Sequence, residues 1–404
     1  MELAILDWLN LIARWAHVIV GIAWIGSSFY FVWKDNSLTP TADDPQQKRL
    51  QGEIWMVHGG GFYHAQKYKV APSHLPDELH WFKWESYSTW LTGMALLAIV
   101  YYLAGPSVLL PVGSTLSYPV GIAVGLGLLA GGWLVYDGLC RSPIARDDRL
   151  LGLAVVALIV AITYAALWLL SDRAAFLHVG AAMATIMTAN VFFTIIPNQK
   201  KIVAAMRAGE TPDPKLGLTG KQRSVHNTYL TLPVVFLMLS NHYPMVYGHP
   251  YAGVLLLAIC ALGALVRHAL VLRHTGRMPA WLLPAGGAAM AALIVGAAGV
   301  KTLAPGDAPA AAEANREASH LRPVAMAIVQ QRCTACHARE PSYQGFDAPP
   351  KGIVLETPAQ VRRWSASVLQ QSVDSHAMPI GNVTQMQPEE RALLARWLRG
   401  GEER

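Results

Sequence analysis

Charged side chains are scarce in this chain of 404 residues: Asp, Glu, Lys and Arg make up 14% of it, whereas hydrophobic residues make up 53%. Because soluble globular domains carry roughly 25% charged residues, this composition predicts a protein embedded in a lipid bilayer. The net charge is only +6, and the basic excess lies in a few loops instead of covering one face. This distribution argues against a partner made of nucleic acid.

Cysteine is also rare. The chain has four cysteines, two of them in one short motif, which excludes a fold held by disulfides. The other two, Cys140 and Cys260, lie in or beside apolar stretches and are interpreted as packing residues. Aromatic residues are plentiful, with 13 Trp and 14 Tyr, so a disordered chain is excluded as well.

Eight apolar stretches are long enough to cross a hydrocarbon core of about 30 Å, which takes roughly 20 helical residues. They predict an all-α fold, a polytopic bundle of eight transmembrane helices. Several stretches carry Trp or Tyr near one end, as is typical of the membrane interface. The predicted spans are 8–33, 87–104, 118–138, 150–170, 174–197, 226–246, 250–272 and 281–300.

Lys and Arg residues are concentrated in every other loop. The first, third, fifth and seventh loops are basic, whereas the others hold only Arg173. Since basic loops stay in the cytoplasm, we expect a multi-pass protein of the bacterial inner membrane whose N-terminus and C-terminal region are periplasmic. The first span follows Glu2 and Asp7 and is too long for a signal peptide, so we expect it in the mature chain.

The composition changes after the last apolar stretch. We predict a transmembrane domain at 1–301, an Ala/Pro-rich linker at 302–319 and a small helical domain at 320–404.

Two short internal matches raise the question of a repeat. Residues 88–92 match 227–231, and the His-Val pair at His17 matches the pair at His178. Either the bundle is a parallel four-plus-four duplication or the matches arise by chance, and the sequence leaves both readings open.

The C-terminal domain contains a haem-attachment motif, Cys333-Thr-Ala-Cys336-His337. Two thiols at this spacing bond the vinyl groups of a haem, and the following imidazole binds the iron. A thiol pair would not need His337, and a zinc site would need further Cys or His ligands. The motif therefore predicts a periplasmic, class I-like c-type cytochrome domain with one covalent haem c.

The sixth iron ligand of such a haem is expected to be a methionine downstream of the motif. Met378, which precedes Pro379, has the usual order and spacing. His376 and Met386 are the alternatives.

Histidines inside a bilayer are costly unless they bind a metal, pair or line a cavity. His17 and His178 lie within predicted spans and suit a haem b held between two helices. His226 and His268 lie towards the cytoplasmic face, as does His58 in the first loop. These three are either ligands or ordinary interfacial hydrogen-bonding residues.

The first loop is rich in aromatic, charged and glycine residues, with Gly59-Gly60-Gly61 and the segment 81–85. Such a loop suits a planar heterocycle. An amphipathic segment anchored at the membrane interface is the equal alternative.

Five motifs together resemble the bacterial membrane-integrated, cytochrome c-linked urate oxidases, and the resemblance covers essentially the whole chain. The motifs are His58-Gly-Gly-Gly-Phe-Tyr63, His80-Trp-Phe-Lys-Trp-Glu85, Ile196-Pro-Asn-Gln199, His226-Asn-Thr-Tyr-Leu-Thr-Leu-Pro233 and Ser240-Asn-His-Tyr-Pro244.

This resemblance implies that urate is oxidised to 5-hydroxyisourate and that the electrons pass to the cytochrome domain. From there they would reach a soluble or membrane cytochrome c or a terminal oxidase. A cytoplasmic substrate site would lie about 30 Å from a periplasmic haem. We therefore predict one or two haems b, the outer one bound by His17 and His178 and an inner one drawing on His58, His226 or His268.

Urate oxidation also needs a general base, for which His and Glu are suitable. The first loop offers four catalytic candidates, namely His64, His80, Glu53 and Glu85. Two other classes of protein stay open. One is an electron-transfer subunit that anchors a separate dehydrogenase, and the other is a transporter regulated by a cytochrome.

Overall fold

The computed structural model describes residues 2–41, 50–69, 72, 75–111, 114–302, 310–344, 346–374 and 376–399. The prediction of a mostly helical chain is confirmed. The helices are α1 (Glu2–Asn36), α2 (Trp84–Leu97), α3 (Pro106–Leu109), α4 (Tyr118–Arg141), α5 (Asp148–Leu169), α6 (Asp172–Ala189), α7 (Ile196–Arg207), α8 (Pro214–Ser240), α9 (Pro244–Tyr247), α10 (Ala252–His274), α11 (Leu282–Thr302), α12 (Ala310–Arg332), α13 (Thr334–His337), α14 (Pro358–Arg363), α15 (Ser365–Val368) and α16 (Pro388–Arg399).

Several helices are apolar enough to span a membrane, as predicted. Within the described residues five stretches meet this condition by length and composition: Trp8–Asn36, Tyr118–Arg141, Asp148–Leu169, Asp172–Arg207 and Ala252–His274. A shorter apolar helix covers Leu282–Ala298. The predicted spans 87–104 and 226–246 are also helical, but α2 is short and α8 begins with a polar segment. A bundle of eight spans therefore stays a prediction.

Two helices continue into π-helical turns, Ala98–Tyr102 after α2 and Asn190–Ile195 between α6 and α7. A π-turn accommodates an extra residue and is frequent at functional sites.

Helix α6 lies at the centre of the bundle. Small and apolar side chains such as Ala174, Val179 and Met183 bury most of its surface. Small residues allow close helix packing in lipid. At Gly180 an added Cβ would lie 2.8 Å from Cβ of Leu237, so α6 and α8 approach closely there.

The prediction of an all-α fold is wrong in the first loop, which forms an antiparallel hairpin of β1 (Leu50–His58) and β2 (Gly61–Tyr68). Gly59 and Gly60 connect the strands with φ of 59° and 79°. Two successive positive φ angles are what a tight hairpin turn needs, and glycine adopts them without strain.

The C-terminal helices enclose a second core. Val329 of α12 packs with Leu394 and Trp397 of α16. Helix α12 begins at Ala310, so part of the predicted linker 302–319 is helical, while 303–309 lies outside the described residues.

The bundle has two distinct ends. At the "hairpin end", α1 leads towards the hairpin, and Nη2 of Arg207 in α7 donates to the carbonyl oxygen of Asp77 at 2.8 Å. At the opposite "docked end", Ile380–Asn382 of the C-terminal unit contacts α3, and Leu369–Asp374 contacts α9.

Candidate functional site

The residues of the predicted haem c site lie together between α12 and α13. Cys333 and Cys336 are free thiols, and burial raises the pKa of Cys333 to about 12 and also raises the pKa of Cys336. Nδ1 of His337 donates to the carbonyl oxygen of Ile353 at 2.9 Å. This bond fixes the ring and leaves Nε2 for iron, which is the usual arrangement around a metal-binding histidine. The residues present therefore fit a covalent haem c.

Met378 lies in a loop that a buried arginine holds. Nη1 of Arg391 donates to the carbonyl oxygen of Met378 at 2.7 Å and also to that of Ser372. Nη2 of Arg391 donates to Oδ1 of Asn382 at 3.2 Å. The arginine thus ties together the segment around the predicted sixth ligand.

The two alternatives to Met378 occupy other environments. Met386 is buried in the core of the C-terminal unit. His376 is exposed, has a φ of 52° and lines a cavity of about 550 Å³ at the docked end with Tyr164, Asp172 and His249 of the bundle.

His17 and His178, the predicted ligands of an outer haem b, contact different residues. Nδ1 of His17 hydrogen-bonds to the Thr89 carbonyl oxygen at 3.1 Å and lies 3.0 Å from Oγ1 of Thr92. Nδ1 of His178 donates to the Ala174 carbonyl oxygen at 2.7 Å, and Nε2 of His178 accepts from the Tyr102 hydroxyl at 2.9 Å.

Close packing also surrounds the second of these imidazoles. A Cβ at Gly125 would lie 2.7 Å from Nε2 of His178, so this nitrogen faces α4 and Tyr102. An outer haem b held by His17 and His178 stays a prediction. Among the described residues, no three His, Cys, Asp or Glu side chains form a group that could hold a metal ion.

A polar cluster near the hairpin end surrounds Arg223, which is 2% exposed. Its Nη2 donates to Oδ1 of Asp137 at 2.7 Å, and its Nη1 donates to Oδ1 of Asn190 at 3.1 Å. Nδ2 of Asn190 donates to the Tyr136 hydroxyl at 3.0 Å and to Oδ1 of Asn227 at 2.9 Å. We call Tyr136, Asp137, Asn190, Arg223, His226 and Asn227 the Arg223 cluster.

The Tyr136 hydroxyl connects this cluster to His226, a predicted ligand of an inner haem. It accepts from Asn190 and lies 2.7 Å from Nδ1 of His226, with which it shares a hydrogen bond.

A second buried arginine, Arg267 of α10, is 1% exposed. Its guanidinium carbon lies 3.7 Å from the centroid of the Phe29 ring of α1. Its Nη2 donates to the carbonyl oxygen and Oγ of Ser28 at 3.2 and 3.4 Å. The next residue, His268, hydrogen-bonds through Nδ1 to the Tyr229 hydroxyl at 2.7 Å.

Of the predicted catalytic residues of the first loop, the structure brings His64 and Glu53 together. Nε2 of His64 lies 2.9 Å from Oε2 of Glu53 on the hairpin, and this hydrogen bond lowers the pKa of Glu53. His80 packs edge-on against Phe82. Glu85 lies in the first turn of α2, and His58 is exposed at the hairpin turn.

Sequence reasoning missed both buried arginines. Arg267 was visible as a charged residue inside the predicted span 250–272, whereas Arg223 precedes the predicted span 226–246 and was interpreted as part of a basic loop. A charged residue in an apolar stretch is the signal that could have found Arg267.

The fold and these clusters define a helical membrane protein with buried charged sites. The family model "Urate oxidase N-terminal" matches residues 3–298, and the chain belongs to this family. No curated protein and no solved structure matches the chain.

Proposed function

We propose that this protein is a membrane-bound urate oxidase that converts urate to 5-hydroxyisourate and passes the electrons to a haem c in its own C-terminal domain. The observation that carries the proposal is the family match, because residues 3–298 cover the helical bundle from α1 to most of α11. The Cys333-Cys336-His337 motif then follows the bundle in the same chain.

The proposed reaction combines urate with one water molecule and yields 5-hydroxyisourate, two protons and two electrons. Cys333 and Cys336 would attach a haem c, and His337 and Met378 would bind its iron. This group would supply one-electron chemistry for the two electrons. The expected acceptor of the electrons is a soluble or membrane cytochrome c or a terminal oxidase.

The proposed location is the bacterial inner membrane, with eight crossings. The basic loops put the hairpin end in the cytoplasm and the docked end in the periplasm. Contact of the C-terminal unit with α3 and α9 supports a shared side of the membrane for this unit and the docked end.

The base remains to be assigned among His64, His80, Glu53 and Glu85. Of these, His64 and Glu53 are hydrogen-bonded to each other at 2.9 Å, an arrangement in which the carboxylate can orient the imidazole. Substituting each of the four residues in turn identifies the base by lost turnover with an unchanged haem spectrum.

Haem b is tested by the absorption spectrum. We propose an outer haem b held by His17 and His178 and expect a b-type band, with an inner haem drawing on His58, His226 or His268 if two are present. A spectrum with one haem per chain and only a c-type band would remove haem b from the proposal.

The central experiment adds urate anaerobically to the purified, oxidised full-length protein. We expect the c-type band to become reduced and 5-hydroxyisourate to form. If dithionite reduces the haem but urate does not, the proposal is wrong, and an electron-transfer subunit for a separate dehydrogenase becomes the better explanation.

A further inference from the structure

A buried positive charge with no counter-charge distinguishes the Arg267 region. Arg267 is 1% exposed, and within the described part of the chain no carboxylate forms an ion pair with it. Its Nε also has no hydrogen-bond partner there. A buried cation is costly unless it is paired, and the described residues give Arg267 hydrogen bonds to Ser28 and contact with Phe29 but no counter-charge.

The contacts that Arg267 makes involve no charged group, but they have a defined geometry. Ser28 accepts its Nη2 hydrogen bonds, and the guanidinium lies against the Phe29 ring. A guanidinium held on an aromatic face keeps its N–H groups in a fixed plane, and these groups suit an anion with neighbouring oxygens.

Nε of Arg223 also has no hydrogen-bond partner among the described residues, but Arg223, unlike Arg267, has a counter-charge. Asp137 lies between Arg223 and Arg141, at 2.7 and 2.6 Å, so the buried Arg223 already has a carboxylate within the chain. The burial of Arg223 is therefore explained by residues of the protein itself.

We propose that Arg267, with Ser28 and Phe29, binds the urate monoanion, a planar heterocycle with carbonyl oxygens. This inference rests on the proposed function, for which it names the substrate-binding residues. The anion supplies the missing counter-charge, and its oxygens accept from the guanidinium. A phospholipid headgroup or free phosphate shares the anionic chemistry, but neither is planar or aromatic.

The test measures equilibrium binding of urate to full-length protein reduced with dithionite, so that the haem accepts no electrons. Arg267→Gln should weaken urate binding by at least about tenfold, since a charge-assisted hydrogen bond is lost. It should lower the unfolding temperature of the urate-free protein less than breaking the Arg223–Asp137 ion pair does, because hydrogen bonds to Ser28 are lost but no buried ion pair is broken. A purely structural arginine would give the opposite pattern.

The matched control is the double variant Arg223→Gln/Asp137→Asn, which removes a buried guanidinium together with its carboxylate. It should bind urate as the unchanged protein does. Arg267→Lys, which keeps the charge but loses the planar fork, should bind urate with intermediate affinity and serves if Arg267→Gln does not fold.

Several outcomes would overturn the inference. If Arg267→Gln binds urate normally and urate still reduces the haem, the site is wrong and the proposed function stands. If the unchanged protein neither binds urate nor is reduced by it, both fail. If inorganic phosphate competes as well as urate does, or Arg267→Gln loses only co-purified phospholipid, the site is a phosphate or lipid site.

Discussion

Arg223 and Arg267 are both buried near the same end of one bundle. Their surroundings differ in whether they include a counter-charge. Arg223 has Asp137, Asn190 and the hydroxyl and imidazole groups bonded to them. Arg267 has a serine and a phenylalanine. Removing one partner of a buried ion pair is costly, whereas a buried cation without a counter-charge supports the proposal of a ligand at Arg267.

The strongest test of this comparison removes the carboxylate. Asp137→Ala leaves Arg223 buried without its ion pair, and we expect a loss of about 3–5 kcal/mol in unfolding free energy. Unfolding followed in mixed micelles measures it. Asp148→Ala, which removes an exposed carboxylate bonded to Gln222, is the control and should change stability little. Equal losses in both variants would contradict the assigned role of Asp137.

Arg391 extends the comparison to a third buried arginine, whose partners are two backbone carbonyl oxygens and an amide. Arg391→Gln should cost about 1.5–3 kcal/mol, because hydrogen bonds to a charged group are lost. If the arginine positions the loop, the ferric haem should also lose the weak long-wavelength band of methionine–iron ligation. Retention of that band with lower stability would make Arg391 purely structural.

A substitution at Gly125 tests the close packing around the hydrogen-bonded imidazole of His178. Gly125→Ala would put a methyl group 2.7 Å from Nε2 of His178 and 2.6 Å from the Tyr102 hydroxyl. We expect a loss of about 1–3 kcal/mol from overpacking. Gly127→Ala, on the same helix with nothing within 4 Å of the new Cβ, is the matched control. Thermal unfolding of the two variants should separate them clearly.

Breaking the exposed pair of His64 and Glu53 on the hairpin should have the smallest effect on stability. The hydrogen bond from His64 lowers the pKa of Glu53, so the contribution of this pair is present above the ordinary pKa of a glutamate and is lost as pH falls through the lowered value. Exposed pairs contribute little. Glu53→Gln should therefore leave the unfolding temperature at pH 7 unchanged within error, and a large drop would indicate a buried role.

Structural features that depend on long apolar runs or on a fixed motif could be predicted from the sequence. The helices around 118–138, 150–170 and 250–272 follow from hydropathy, and the Cys333-Cys336-His337 spacing is visible by inspection. Contacts between distant helices could not be predicted in this way. The bond between Tyr136 and His226, for example, joins residues that are far apart in the chain.

The hairpin was predictable in principle. Gly59 and Gly60 lie between strands whose paired residues include Val57 with Phe62 and Trp55 with His64, which is a recognised hairpin signal. The position of this segment between the predicted spans 8–33 and 87–104 favoured a connecting loop instead. The π-turns at Ala98–Tyr102 and Asn190–Ile195 had no such signal, because their register depends on packing against neighbouring helices.

The depth of Arg267 has an electrical consequence. It lies seven residues before the end of α10 at His274, or about 10 Å at 1.5 Å per residue, roughly a third of a 30 Å hydrocarbon core. In the proposed orientation, with the hairpin end in the cytoplasm, an anion bound at the proposed Arg267 site would have moved outward through part of the membrane voltage. An inside-negative potential of about 100 mV would favour that movement by about 0.8 kcal/mol, which is roughly a fourfold increase in affinity. Energised vesicles should consequently bind urate more tightly than detergent-solubilised protein.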